Sequence, residues 1–275
     1  METGETFGRG SGLNHVWNKC TERVSLLWDL ALNDLRRTQK DTLLGWGWTF
    51  VRPAVSLIVY YVVFSLFFAM PDESPGVPYS IWFLSGMLPW LFHAECLGTG
   101  VYCFSEYGYL VRKICFPVYL IPLIRLISTF IIHVLCIALL GALCIFENHF
   151  MQIRLIRLVY ACACELLYTG TEVFVCALLA AFMRDMESLT AILLQAGIWA
   201  VPVLWNMKKV PRKFAELPAF NPMYHVVQSF RYAFGCEETP GSRSSFDVFR
   251  AAFAVLLLLC ILLYRRLRVH LPDVL

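Results

Sequence analysis

Charge is scarce in this chain of 275 residues: Asp, Glu, Lys and Arg make up 16 % of it, against about 25 % in soluble domains. With 59 % hydrophobic residues, that deficit excludes an ordinary water-soluble domain. The net charge of +3 says little by itself, and no nucleic-acid partner is expected. No segment reads G-x-x-x-x-G-K-[ST], so the usual cradle for nucleotide phosphates is missing. No cofactor is expected in this chain. The eleven cysteines contain no Cys-x-x-Cys pair, which argues against a zinc or redox site; no metal site is expected. Cys96, Cys136, Cys144, Cys162, Cys164, Cys176 and Cys260 lie in apolar runs, where a thiol behaves as a small apolar residue. No short apolar core with a small-residue cleavage site follows the first residues, so no signal peptide is expected. Internal repeats and low-complexity tracts are also missing.

What is present is a succession of apolar stretches. A lipid core about 30 Å thick takes about 20 residues of helix at 1.5 Å each. Spans are expected at 50–70, 80–102, 118–145, 155–182, 188–206 and 247–264. The expected fold is all-α and polytopic. It has a cytoplasmic N-terminus over 1–41 with an amphipathic interfacial helix, a six-span domain over 42–265, short re-entrant helices before the last span, and a cytoplasmic tail over 266–275.

Within residues 15–40, Val24, Leu27, Trp28, Ala31 and Leu35 recur at helical spacing, with Arg23, Asp29, Asn33, Arg36, Arg37 and Lys40 mostly elsewhere on the wheel. A basic amphipathic helix before a span suits the membrane surface. Lys and Arg in the flanks set orientation. With the N-terminus inside, Arg9, Lys19, Arg23, Arg36, Arg37, Lys40, Arg52, Arg112, Lys113, Arg184, Arg265, Arg266 and Arg268 are cytoplasmic. Arg154, Arg157, Lys208, Lys209, Arg212, Lys213, Arg231, Arg243 and Arg250 are then external. The bias is modest, and both termini are placed in the cytoplasm.

Six local patterns occur in order: LLGWGWTFVRP (43–53), SGMLPWLF (85–92), GYLVRKICFPVYLIPLI (108–124), FMRDMESLTAILLQ (182–195), VPVLWNMKKVP (201–211) and FNPMYHVVQSFRYAF (220–234). Together, on a six-span chain, they resemble the permease subunits of type 2 ABC exporters of the polysaccharide branch, which carry capsule, O-antigen and teichoic acid chains. The likeness runs from about residue 35 to the C-terminus. It implies an inner-membrane transport subunit and not an enzyme. ATP and Mg would be bound by a separate ATP-binding subunit in two copies, and a lipid-linked polysaccharide would be the cargo. Six helices are few to enclose a glycan path, so a second copy of the chain is expected, with a two-fold axis along the pore. Membrane lipids complete the partners.

The likeness also marks residues. Tyr109, Arg112, Lys113, Phe116 and Pro117 fall on the family's coupling helix, which docks on the ATPase. Pro117 independently limits helix continuation there, and a plain positive-inside anchor is the alternative. Trp46, Trp48 and Phe50 fall where the family places a gating helix. With Tyr60, Tyr61, Trp90 and Trp199 they are candidates to line a path on which sugar C–H faces slide. Interfacial anchoring is the competing role for such rings.

Ionisable residues inside spans are functional candidates by default. Arg125 and His133 lie in the third span; Glu165 and Glu172, seven apart, share one face of the fourth. Counted from the cytoplasmic ends, Arg125 and Glu172 lie roughly 10 and 15 Å deep, and His133 and Glu165 both roughly 22–26 Å. Antiparallel neighbours would then pair Arg125 with Glu172 and His133 with Glu165. His93 and Glu95 in the second span are left between substrate contact and snorkelling. Asn221 and Pro222 are expected to shape a turn. Two other functions stay open: a sibling permease for a small lipid, drug or oligosaccharide, and a polytopic glycosyl- or acyltransferase. The short basic loops offer few of the acid/base groups the latter needs.

Overall fold

The computed structural model describes residues 24–36, 45–63, 76–114, 117–149, 152–205, 217–236 and 243–274. Every regular element among them is a helix, as lipid requires of backbone that must satisfy its own hydrogen bonds. We number them α1 (24–36), α2 (Trp48–Val62), α3 (Tyr79–Gly100), α4 (Cys103–Ile114), α5 (Ile121–Phe146), α6 (Leu155–Phe182), α7 (Asp185–Ala200), α8 (Pro222–Ala233), α9 (Arg243–Leu267) and α10 (Leu271–Val274).

Among the described residues, three stretches are long and apolar enough to cross a bilayer: Val118–Phe146, Leu155–Phe182 and Arg243–Leu267. They match the expected third, fourth and sixth spans. α3 is long enough as well, at 22 residues. It carries His93, Glu95, two serines and three glycines, and is the centre of the molecule, packed on α5, α6, α7, α8 and α2. The fifth span is shorter than expected. α7 has 16 residues, about 24 Å of rise, and ends where Val201 turns extended before Pro202. Proline disfavours helical backbone in the residue preceding it. The described part of the first span, α2, covers 48–62 of the expected 50–70, and 64–70 lie outside the described residues.

Lipid tails offer no solvent-exclusion force between helices, so close packing of small residues brings them together. A Cβ on Gly100 of α3 would stand 2.5 Å from Val173 of α6, and one on Gly170 of α6 would stand 2.8 Å from Leu126 of α5. At one end of the bundle, α4 buries Cys103, Phe104 and Tyr107 against Ile121 and Ile124 of α5 and Leu178 of α6. Leu27 and Leu30 of α1 and Leu271 of α10 join that cluster, so the two outermost described helices share the α4 end. At the other end α8 lies between α3, α6 and α9. Asn221 caps it by accepting from the Met223 amide at 3.0 Å, with Pro222 in the first turn.

Candidate functional site

At the α4 end a cavity of about 330 Å³ opens among α1, α2, α3 and α5, with Asp34, Arg52, Glu95, Arg125, Thr129 and His133 on its wall. Asp34 is only 5 % exposed. Its carboxylate accepts from Ser128 Oγ at 2.7 Å, from Arg125 Nη1 at 3.2 Å and from the Tyr107 hydroxyl. Burial and the adjacent carboxylate push the ionisation of Tyr107 up, which keeps its hydroxyl a donor. The second guanidinium nitrogen of Arg125 pairs with Glu106 of α4. α1 is turned accordingly. Of the expected apolar face, Leu27 and Ala31 pack into the bundle, while Val24 and Trp28 are exposed on its outer side. The inward stripe is Leu27, Leu30, Ala31 and Asp34, at the i, i+3, i+4, i+7 spacing of one helix face.

This geometry corrects one expected pair. Arg125 does not meet Glu172; it is held by Asp34 and Glu106. Glu172 instead lies 3.7 Å from His93 Nε2 on α3, whose Nδ1 is 3.1 Å from Thr169 Oγ1. Depth along α5 and α6 was a sound measure, but it left out the acids of α1 and α4, which reach Arg125 first. His133 Nε2 stands 3.0 Å from Glu165 Oε2, and Glu165 is 0 % exposed. The approach is off the direction of a good hydrogen bond, leaving both Glu165 oxygens without one. Phe92, Phe130 and Phe230 rings surround His133. The contacts His93–Glu172 and His133–Glu165 thus join α3 to α6 and α5 to α6 in an apolar setting.

At the α8 end, Arg231 is 1 % exposed, enclosed in the bundle rather than standing in an open flank. Its guanidinium lies 3.8 Å from the Trp82 ring, and Nη2 donates to the Val203 carbonyl at 3.1 Å. Gly86 makes the room: a Cβ there would be 2.7 Å from Nη2. Arg154 covers the Tyr232 ring at 4.2 Å and donates to the Tyr232 carbonyl at 3.1 Å.

The aromatic candidates separate. Trp90 is buried, with the Gly197 position of α7 against its ring, so its role in this structure is packing and not the lining of a path. Tyr60 meets Phe83 edge-on at 5.8 Å, and Tyr61 donates to Glu147 Oε1 at 2.7 Å. Trp48 and Phe50 are half-buried, and the Trp46 side chain lies outside the described residues. Trp199 is 66 % exposed. Of the docking candidates, Tyr109 is exposed on α4 and Pro117 precedes the short helical turn Val118–Leu120. Phe116 and the side chains of Arg112 and Lys113 lie outside the described residues. Sequence reasoning did not single out Asp34, Tyr107 or Thr169, nor give Arg231 an interior role. The signal for Asp34 was available in its seven-residue spacing from Leu27. Among the described residues no cluster of three or more His, Cys, Asp and Glu is placed to hold a metal ion.

Long apolar helices whose interior charges are matched across neighbours define a multi-pass membrane protein. The chain belongs to the ABC-2 type transporter family, which its residues 26–234 match; it is a transport permease and not itself an enzyme. It is similar to the "O-antigen export system permease protein RfbA" of Myxococcus xanthus, 24 % identical over 211 residues, which cover 76 % of this chain and 80 % of that protein. Two proteins of the same description from Klebsiella pneumoniae are 24 % and 22 % identical, each alignment covering 78 % of this chain and 84 % of the relative.

Proposed function

We propose that this chain is the membrane-spanning subunit of an ATP-driven exporter that moves a lipid-linked polysaccharide out across the cytoplasmic membrane. The observation that carries the reading is the family match over residues 26–234, joined to relatives named as O-antigen export permeases that align with 76–78 % of the chain. The chain threads the membrane six times, with the α4 end and both termini in the cytoplasm. The shared hydrophobic cluster of α1, α4 and α10 supports that arrangement.

ATP and Mg are held by a partner ATPase in two copies, as expected for a family permease whose 275 residues contain no phosphate-binding loop. α4 takes the push of that partner. Its exposed side, with Ser105 and Tyr109, faces away from the bundle, while Cys103, Phe104 and Tyr107 are buried in it. Two copies of the chain enclose the path. A glycan is dense in hydroxyls, and burying each without a hydrogen bond is costly. The path therefore presents water and ring faces, with Trp48, Phe50 and Trp199 as its candidates. The cavity beside Arg52 and Arg125 lies at the end where the glycolipid first meets the protein.

Reconstitution with the ATP-binding subunit tests the reading. Proteoliposomes loaded with the glycolipid that accumulates in cells lacking this chain should translocate it only with ATP and both subunits present. Translocation by the permease alone, nucleotide turnover by the permease alone, or side-specific labelling that puts residues 24–36 and α10 on opposite faces would overturn it.

A further inference from the structure

We propose that Asp34 is a positioning residue that joins α1 and α4 into one moving body on α5, so that a push on α4 reaches the cavity wall. This rests on the reading above that α4 receives the stroke. Apolar contacts such as those of Leu27 and Leu30 are non-directional and let a helix slide or roll. Asp34 adds direction. One buried carboxylate takes hydrogen bonds from Tyr107 on α4 and from Arg125 and Ser128 on α5. α4 is attached twice, because Glu106 pairs with Arg125 while Tyr107 bonds to Asp34. Adjacent residues of an α-helix point about 100° apart. α4 therefore cannot roll without stretching one of the two attachments, nor slide without stretching both. The Asp34 bonds are sheltered from water, so salt screens them little, while Glu106 is half-open to solvent. Arg125 stands in the first turns of α5 and His133 two turns further along, and both border the same cavity. Displacement of α4 is thereby delivered to the cavity wall rather than lost at the membrane surface.

The test uses the intact permease–ATPase complex in nanodiscs and proteoliposomes. Spin labels at exposed Asp29 on α1 and Ser105 on α4 should report one narrow distance in the native background, unchanged by ATP. Asp34→Asn should broaden it. In the same variant, assembly and ATP turnover should stay within about twofold of native while export of the accumulated glycolipid falls about tenfold, the scale of one charged hydrogen bond. Tyr107→Phe, which removes a single donor without adding bulk, should fall between the two. A native distance distribution and native export in Asp34→Asn would overturn the proposal. So would equal losses of assembly, turnover and export, which mark a residue that only holds the fold. If the native complex exports no glycolipid but the distance behaves as described, the joint stands and the assigned cargo falls.

Discussion

Arg125 and Arg231 sit at opposite ends of one helical bundle and are held by different chemistry. Arg125 lies between two carboxylates, Asp34 of α1 and Glu106 of α4. The described contacts of Arg231 are a tryptophan face and the carbonyls of Val203 and Trp82. Charge–charge attraction falls off slowly with distance, so a carboxylate can follow a guanidinium through a small displacement. Stacking and carbonyl bonds are short-ranged and angle-dependent, so they tolerate none. The Arg125 contacts tie α1 and α4 to α5, and those of Arg231 tie α3, α8 and the turn after α7 together. The size of the neighbouring residue agrees with this. Gly86 leaves Arg231 no slack, whereas Arg125 borders a cavity.

The largest expected effect tests the rigid end. Gly86→Val drives side-chain carbons into the space of the Arg231 guanidinium and should abolish folded protein, read as monodisperse yield by size exclusion. A native yield and melting temperature would mean that Arg231 does not set the register of α8. Glu165→Ala comes next. It leaves His133 buried without its partner and should cost about 3–5 kcal/mol in thermal denaturation, with much of that recovered in Glu165→Ala/His133→Leu. Additive losses in the double variant would show that the two side chains are not coupled. Glu172→Ala should cost less, about 1 kcal/mol, because at 3.7 Å from His93 its Oε2 makes no hydrogen bond. No change at Arg125 should rescue it; rescue through Arg125 would restore the partnership that the structure replaces. The smallest effect belongs to Glu106→Gln, whose side chain is half-open to solvent. It should lower the melting temperature by the equivalent of under about 1 kcal/mol, with the difference vanishing at high salt. A salt-independent loss would place Glu106 among the fixed contacts and erase the contrast between the two ends.

Most of the scaffold was legible in the residue order, and the failures have physical causes. The stretch 155–182 is a helix over those same residues, since a long, mainly apolar run flanked by polar turns has one way to satisfy its backbone in lipid. α7 stops early because a single proline, Pro202, outweighs the apolar character of the following residues. α8 falls where short re-entrant helices were expected, but its burial was not legible. It carries His225, Gln228, Ser229 and Arg231 yet is enclosed almost throughout. A polar helix can be buried when its groups find partners inside, as His225 does with the Tyr160 hydroxyl at 3.1 Å.

The candidate site was readable only in part. His133 and Glu165 lie on consecutive helices joined by a short connection, so counting rise along each brings them level. Asp34 is 91 residues from Arg125, and no periodicity links them. The aromatic candidates show the same limit. Trp90 and Trp199 are both rings on apolar helices, yet one is enclosed against Gly197 and the other open.

Residue order alone carried the extent of the third, fourth and sixth spans and the missing nucleotide loop, because backbone hydrogen bonding in lipid is settled within a few residues of helix. Which charges meet, which rings face outward and which way α1 is rolled belong to the folded molecule. Those outcomes depend on how helices far apart in the chain are rotated and set against one another, and a carboxylate on the first helix outcompeted a nearer one for the same arginine.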